Sequence, residues 1–296
     1  MPRVGLSWRP SVAPSTVLRS GPAAYPPSLA LGPVILGLGT AHRSGSDCGH
    51  GQDDAVRVVK DLSDGGDMMG PMMNDLLDRA IYSYSDVDRL VGLHAGTSRR
   101  WLEGYERAGK HYEPVLREEA TGGDVVTWGE MVEARLLAEF RTRVPVQRLR
   151  PAIVRLRGEF GRYPLAHARP FLDIEGRELV RVVQDEVGLE RPLQLVVVRS
   201  GQLMLAAATE RFNAAVEYAD GVVGRLRPDP RTPEVVMDPT RSFGQPAIRN
   251  VRTDALAEDY RAGTSRGELA DLYDLTEAQV DEAIRYELIA GSERAA

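Results

Sequence analysis

Residues 82–105 read YSYSDVDRLVGLHAGTSRRWLEGY, and this stretch decides the fold of the first regular part of the chain. Residues 85–93 predict a helix with Ser85 as its N-cap, and Gly92 then permits a tight turn. A second helix is predicted from Thr97. The apolar residues expected to form the core shared by the two helices are Val87, Leu90, Val91, Leu93 and Trp101. Two short helices around a tight turn are typical of a DNA-reading helix-turn-helix.

The second helix and the residues after it carry side chains suited to DNA. Arginine is the side chain best fitted to bidentate contact with guanine or phosphate, and the start of a reading helix faces the base edges. We expect the second helix to present residues 97–100 outward. The predicted DNA-binding residues are Thr97, Ser98, Arg99, Arg100, Tyr105, Arg107, Lys110 and Arg117. An ordinary helical hairpin with solvated arginines is the alternative.

Charge is distributed unevenly along a chain whose formal net charge is −6. Residues 82–112 sum to only +1, whereas residues 135–162 hold eight arginines against two glutamates, a net charge of +6. Residues 253–296 hold eleven carboxylates against four arginines, a net charge of −7. Because a phosphate backbone responds to the local field, the sequence predicts that the strong positive field comes from the helices after the opening stretch. That basic surface could instead meet an acidic partner or the chain's own C-terminal part.

The 296 residues are enough for more than one compact unit, and the composition changes along them. Residues 1–75, rich in Pro, Gly and Ser, predict a disordered tail or an upstream extension of the reading frame before the Met68 cluster. Residues 76–164 would form the helix-turn-helix with its following helices, 165–232 a small αβ unit, and 233–296 three helices. The predicted fold class is mainly α with small β elements, an α+β arrangement.

Local patterns predict elements for most of the folded part. A small hairpin is predicted to end at Val125-Val126, followed by amphipathic helices over 132–140 and 146–160. In the αβ unit we predict strands at 177–183 and 222–227, a hairpin about Ser200-Gly201 and a helix over 209–219. In the C-terminal unit Thr253 is predicted to cap the first helix. Capping boxes are predicted at Ser265–Glu268 and Thr276–Gln279.

Two resemblances to known families follow from these motifs. YSYSDVDRLVGLHAGTSRRWLEGYERAG and the later VTWGEMVEARLLAEFRTRVPVQRLRPAIVRL resemble the MerR-type winged helix-turn-helix, and the RRWLEGY block is similar to the N-terminal half of VapB-type antitoxins. VVMDPTRSFGQPAIRNVRTDALAEDYRAGTSRGELADLYDLTEAQVDEAIRYE resembles the domain-of-unknown-function family 433, whose three helices form a homeodomain-like bundle. Ser98 departs from the first pattern, which has an apolar core residue there, and Asn250-Val251-Arg252 departs from the Gly-Thr-Arg of the second.

The resemblances imply a DNA-binding antitoxin that binds double-stranded operator DNA and silences a PIN-like ribonuclease toxin. The acidic third helix of the C-terminal unit would repel phosphate, so we expect that unit to bind protein instead. The segment SFGQPAIRNV (242–251) could offer a strand edge to a second copy, in keeping with a homodimer. A MerR-like regulator that senses a small molecule between residues 177–183 and 193–205 is the alternative function. A protein-interaction adaptor without DNA affinity is the third.

Chemistry-bearing motifs are scarce. The five histidines form no H-x-x-x-H or H-E-x-x-H pair of the kind that binds zinc. The segment GLGT at 37–40 is not a phosphate-binding loop, because such a loop requires a following Lys-Ser or Lys-Thr. We therefore expect no enzyme activity, no catalytic residues, no metal and no cofactor. No run of about 18 apolar residues predicts a membrane span, and the single cysteine, Cys48, fits a reducing cytoplasm.

Overall fold

The computed structural model describes residues 76–140 and 145–295, with side chains through Ser292. Our predictions for residues 1–75 lie outside the described residues. The fold class is as predicted, because short helices dominate and the strands form small two-stranded antiparallel sheets. The first elements are strand β1, Ala80–Ser83, helix α1, Tyr84–Val91, and helix α2, Thr97–Glu103.

The N-cap of helix α1 lies two residues before the predicted cap. The Ser83 hydroxyl accepts a hydrogen bond from the backbone N–H of Asp86 at 3.1 Å, and the Asp86 carboxylate accepts one from the N–H of Ser83 at 3.0 Å. This reciprocal capping box satisfies two otherwise unpaired donors, so Ser83 is the N-cap and the prediction of Ser85 was wrong. Gly92 ends α1 in the left-handed conformation, with φ 69°, as the predicted turn requires.

A hairpin follows α2 directly. Strands β2, Tyr105–Arg107, and β3, Lys110–Tyr112, pair antiparallel around a turn at Ala108-Gly109, where both residues have positive φ. The hairpin predicted to end at Val125-Val126 is wrong, since β4, Val125–Thr127, pairs with β1 and not with a neighbouring strand. Tyr82 and Val126 lie opposite each other in that pair, and both are buried.

Helices fill the middle of the chain. The helices predicted over 132–140 and 146–160 are confirmed, the second after a 3₁₀ turn at Val146–Leu149. The helices of this part are α3, Trp128–Glu139; α4, Arg150–Phe160; α5, Arg169–Leu172; and α6, Ile174–Glu186.

The strand predicted at 177–183 is wrong, because these residues lie within α6. The buried positions of α6 are Gly176, Val180, Val183 and Gln184, spaced as one face of a helix requires. The many β-branched residues favoured a strand locally, and packing of this face against the core outweighs that preference. One wall of the small-molecule pocket proposed for the αβ unit therefore does not exist as a strand.

The predicted hairpin about Ser200-Gly201 is confirmed, with β5, Val196–Arg199, pairing with β6, Gln202–Leu205. Helix α7, Ala207–Ala215, covers the first part of the helix predicted over 209–219. The remainder is strand β7, Val216–Ala219, which pairs with β8, Val222–Leu226, within the strand predicted at 222–227. One continuous core runs from Leu77 through these elements to Met237.

The C-terminal elements pack around a second core formed by residues such as Val235, Leu256, Leu269 and Val280. Both predicted capping boxes are confirmed, at Ser265–Glu268 and at Thr276–Gln279. The predicted cap Thr253 is wrong: Thr253 is the first helical residue, and its hydroxyl donates to Glu287 Oε1 at 2.6 Å. The elements are β9, Ala247–Ile248; β10, Val251–Arg252; α8, Thr253–Arg261; α9, Arg266–Tyr273; and α10, Glu277–Ala295.

Strand β9, within the segment 242–251 that was predicted to offer a strand edge, already has a partner on each side. Ala247 of β9 exchanges backbone hydrogen bonds with Val236 at 2.9 and 3.0 Å, while β10 pairs on the other side. The chain's own backbone therefore takes the place that a second copy would need. The predicted division of the chain into a helix-turn-helix unit, an αβ unit and a C-terminal unit, with boundaries after residues 164 and 232, stays a prediction.

Candidate nucleic-acid interface

A buried carboxylate on α1 fixes the turn between α1 and α2. Asp88 accepts hydrogen bonds from the backbone N–H groups of Gly96 at 2.6 Å and Ser98 at 2.8 Å. Gly96 precedes α2 and has no side chain to cap it, so Asp88 supplies the missing acceptor from the neighbouring helix. The sequence interpretation missed this role, although an acidic residue between the apolar Val87 and Leu90 was its visible signal.

Ser98 is a structural residue and not a surface contact. It is completely buried, its hydroxyl donates to the Tyr84 carbonyl at 2.9 Å, and its N–H donates to Asp88. The prediction that Ser98 faces outward toward DNA is therefore wrong. A serine at this core position is tolerated because each of its polar groups has a partner between α1 and α2.

Arg117 is also withdrawn from the predicted DNA-binding set, since it is buried. Its guanidinium donates to both oxygens of Glu130, at 2.7 and 3.0 Å, to Glu103, and to the Val125 carbonyl at 2.9 Å. Burial opposes its charge, but the hydrogen bonds and charge of Glu130 raise the pKa of Arg117 above its ordinary value. Arg117 thus joins α2, β4 and α3, and has no freedom to reach a phosphate.

The remaining predicted contacts lie together on α2 and the β2–β3 hairpin. Arg99, Arg100, Arg107 and Lys110 are exposed, and within the described residues none of them has a carboxylate partner. Arg100 instead donates to the Gly96 carbonyl at 3.2 Å and to the Thr97 hydroxyl at 3.1 Å. These four cations are therefore free to exchange their solvent contacts for phosphate or base contacts.

Two aromatic rings stiffen the hairpin. Tyr105 and Tyr112 stack with ring centroids 4.7 Å apart, and the Lys110 ammonium lies 5.1 Å from the Tyr112 centroid. On the other side of α2, the Arg99 guanidinium lies 5.7 Å from the Tyr84 ring. Contacts of this kind orient the cations without neutralising them.

A cavity of about 600 Å³ opens between α2, the hairpin and the 3₁₀ turn before α4. Thr97, Arg100, Tyr105 and Arg107 all line it, together with Pro145, Val146 and Gln147. The turn is held in place by Arg150, which donates to the Pro114 carbonyl at 2.7 Å. The structure therefore brings four of the predicted contacts to one concave surface.

The basic helices are not the open positive surface that the sequence interpretation placed there. Each arginine of 135–162 that the structure describes has a partner within the protein, either a carboxylate or a backbone carbonyl. The carboxylate pairs are Arg135–Glu139, Arg148–Glu190, Arg155–Glu159 and Arg162–Asp78. Arg150 and Arg157 donate to carbonyls, the latter to Leu116 at 3.0 Å. Much of the +6 charge is therefore balanced locally, whereas Arg99, Arg100, Arg107 and Lys110 of α2 and the hairpin have no carboxylate partner within the described residues.

Among the described residues, no cluster of three or more His, Cys, Asp or Glu side chains could hold a metal ion. In the same part of the chain, no helix combines the length and the apolar composition that a membrane crossing requires.

The geometry corresponds to a helix-turn-helix protein with an added C-terminal unit, and comparisons with known proteins agree. Residues 80–153 match the family model described as "Putative DNA-binding HTH domain", and residues 235–286 match "Protein of unknown function (DUF433)". The chain belongs to the family of the "Uncharacterized protein Rv2308" of Mycobacterium tuberculosis (strain ATCC 25618 / H37Rv). The two are 42% identical over 223 residues, which cover 72% of this chain and 92% of that relative.

More distant relatives carry further information. The "Putative antitoxin VapB45" of the same organism is 28% identical over 230 residues, covering 70% of this chain and 93% of that protein. The X-ray crystal structure of Rv2018 from Mycobacterium tuberculosis superposes with a TM-score of 0.57 at 26% sequence identity, over 70% of this chain and 99% of the other. The chain is thus similar in sequence to a protein described as "Putative antitoxin VapB45" and similar in fold to a solved mycobacterial protein.

Proposed function

We propose that this protein is the DNA-binding antitoxin of a toxin–antitoxin pair, which binds its operator and neutralises a PIN-like ribonuclease toxin. The observation that carries the proposal is the set of four exposed cations without carboxylate partners, Arg99, Arg100, Arg107 and Lys110, on α2 and the hairpin after it. The similarity to a helix-turn-helix family and to an antitoxin supports it. The protein would act in the cytoplasm as a homodimer, without catalytic activity of its own.

DNA recognition would follow the geometry of a MerR-like winged helix-turn-helix. Helix α2 enters the major groove, where Arg99 and Arg100 reach base edges or the flanking phosphates. The hairpin acts as the wing, and Arg107 and Lys110 beside its turn contact the adjacent backbone. Thr97 and Tyr105 line the concave surface between helix and wing and would contact sugar or phosphate.

The C-terminal unit would serve the toxin and not the operator. Residues 253–296 carry a net charge of −7, which repels phosphate and attracts a basic protein surface. Neutralisation is tested by expressing the reading frame adjacent to this protein's gene, with and without this protein, and measuring growth and RNA cleavage. Unchanged toxicity would contradict the antitoxin half of the proposal.

The DNA-binding half is tested with the segment upstream of the protein's own gene, by fluorescence anisotropy at several salt concentrations. Replacing both Arg99 and Arg100 by Ala should weaken binding by about tenfold to a hundredfold and reduce the salt slope by about 2. The matched control replaces Arg148 and Arg155, which are also exposed but paired with carboxylates. If the control weakens binding more than the α2 variant, the basic helices are the DNA surface and our placement is wrong.

A regulator that senses a small molecule is the second candidate, and one observation favours it. A cavity of about 920 Å³ lies beside the turn of the helix-turn-helix and is lined by Arg89, Arg99 and Arg135, with Tyr286 and Ile289 of α10. A ligand there would contact the reading helix directly through Arg99. This candidate requires a small molecule that raises the Tm and changes the DNA affinity, whereas the antitoxin requires neither.

A further inference from the structure

The β5–β6 hairpin has two edges, and its register shows which backbone groups point outward. Arg199 lies opposite Gln202 across the two-residue turn, so this pair and the Val197–Met204 pair exchange the hydrogen bonds between the strands. The alternate residues therefore direct their N–H and C=O groups away from the partner strand. On β6 these residues are Leu203 and Leu205.

The chain closes the first part of the β5 edge, at Leu195 and Val196, with a side chain. Gln184 of α6 is buried, and its amide nitrogen donates to the Val196 carbonyl at 3.0 Å. The amide oxygen of Gln184 accepts from the N–H groups of Leu195 at 2.6 Å and Val196 at 3.0 Å. The amide thus imitates a neighbouring strand and satisfies groups that would otherwise remain unpaired.

The edge of β6 has no such protection. Within the described part of the chain, the outward backbone groups of Leu203 and Leu205 have no hydrogen-bond partner. The strand sequence, QLML, contains no charge and no proline, and its pairing with β5 has no bulge. Proteins ordinarily protect a free edge with one of these features, because an uncharged apolar edge pairs readily with another strand.

We propose that the open edge of β6 pairs antiparallel with β6 of a second copy of this chain, joining two hairpins into one four-stranded sheet. A second copy fits because this edge is self-complementary: it is uncharged throughout, so no like charges meet across a two-fold axis. In the register centred on Met204, Leu203 of each copy exchanges both backbone hydrogen bonds with Leu205 of the other. The hairpin alone carries this inference, whatever the helix-turn-helix binds.

This register places Met204 opposite its counterpart in a pair without mutual hydrogen bonds. The Cα atoms in such a pair lie about 4.5 Å apart, within the range that a disulfide spans. The Met204 side chain lies on the face of the hairpin opposite to Leu203 and Leu205, which pack against the core, and it is 42% exposed. A substitution at Met204 therefore leaves the core unchanged.

The test is oxidative crosslinking of the full chain without DNA, in a Cys48→Ser background that removes the one native thiol. Met204→Cys should form a covalent dimer on a non-reducing gel. The matched control is Val198→Cys on β5, whose site is more exposed, at 61%, and would crosslink more through random collision. Equal or greater crosslinking of the control overturns the proposal.

A second variant tests the non-covalent dimer by sedimentation. Met204→Lys places two ammonium groups opposite each other, so it should raise the dimer dissociation constant by at least about tenfold, while the free energy of unfolding of the dilute monomer stays unchanged. Val198→Lys should leave the dissociation constant unchanged. If the wild-type protein is a monomer, or if its dimer is insensitive to Met204→Lys, the proposed β6–β6 pairing is overturned. The first of these outcomes is also the one expected if the strand of another protein occupies this edge. Operator binding by such a monomer would leave the DNA-binding half of the proposed function standing and would remove its homodimer.

Discussion

The Tyr82 hydroxyl donates a buried hydrogen bond to the Gly244 carbonyl at 2.6 Å, across 162 positions of sequence. This contact joins β1, at the start of the helix-turn-helix, to the loop before β9. A second contact runs beside it, from the Arg89 guanidinium to the Gln245 side-chain oxygen at 2.7 Å. The first helix of the helix-turn-helix and β1 are therefore joined to the loop before β9 through specific polar contacts, and their removal has predictable costs.

Tyr82→Phe tests the hydrogen bond without changing the shape of the ring. The variant leaves the Gly244 carbonyl buried without a partner, so we expect a loss of about 1–3 kcal/mol in the free energy of unfolding. Chemical denaturation measures this loss in the free energy of unfolding.

Gly244→Ala tests the same contact from the other side, because an added Cβ would lie 2.2 Å from the Tyr82 hydroxyl oxygen. The control Gly188→Ala has a similar positive φ and nothing within 4 Å, so it reports backbone strain alone. Equal losses in the two alanine variants would contradict close packing at Gly244.

Arg117→Met should destabilise the protein without altering DNA recognition directly. The substitution leaves the carboxylates of Glu103 and Glu130 without their shared cation, and breaking a buried pair in this way costs about 3–5 kcal/mol. The comparison variant is Arg107→Met, at an exposed site without a carboxylate partner. We expect it to change stability by less than about 0.5 kcal/mol and to weaken operator binding. Denaturation and anisotropy measured on both variants separate the two roles, and a reversed pattern would return Arg117 to the DNA surface.

Ser98→Ala removes the hydrogen bond to the Tyr84 carbonyl, and we expect a loss of about 1 kcal/mol in the free energy of unfolding. Operator affinity measured well below the Tm should stay unchanged, because Ser98 has no exposed surface. The neighbouring Arg99→Ala should show the opposite result, with stability retained and affinity reduced. Weaker binding by Ser98→Ala at full stability would show that Ser98 contacts DNA after all.

The elements that depend on nearby residues could be predicted from the sequence. The turn at Gly92, the start of α2 at Thr97, the hairpin about Ser200-Gly201 and the capping box at Ser265 each follow from a local pattern of glycine, polar caps and apolar spacing. The error at α6 has a local cause as well, since its β-branched residues hid a helical spacing of buried positions.

The parts of the site that could not be predicted depend on distant partners. Whether Arg148 is free or paired is decided by Glu190, and whether Arg117 reaches the surface is decided by Glu103 and Glu130, which lie on other elements. Charge summed along the sequence counts all arginines alike. The structure distinguishes the arginines that are paired with carboxylates of the same protein from the unpaired arginines of α2 and the hairpin. The candidate DNA surface therefore lies on α2 and the hairpin and not on the helices of residues 135–162.

Glu133 should make stability depend on pH. Its carboxyl group is completely buried in α3, Oε1 accepts from the Leu165 N–H at 3.0 Å, and Oε2 has no partner among the described residues. Burial raises the pKa of Glu133 to about 8, from the ordinary value of 4.5. Between these two pH values the folded state binds more protons than the unfolded state, so the free energy of unfolding falls as pH rises through this range.

Glu133→Gln removes this proton linkage while keeping an oxygen for the Leu165 N–H. We expect the variant to match the wild type at about pH 4, below the ordinary pKa, and to exceed it by a few kcal/mol above about pH 8, as urea denaturation across this range would measure. The control is Glu139→Gln, because ion pairs with Arg135 and Arg211 outweigh burial and lower the pKa of Glu139. A lowered carboxyl pKa contributes stability above the ordinary pKa, so the control should be less stable than the wild type at neutral pH. If the stability difference between Glu133→Gln and the wild type does not change with pH, the Glu133 carboxyl is not protonated in the folded protein.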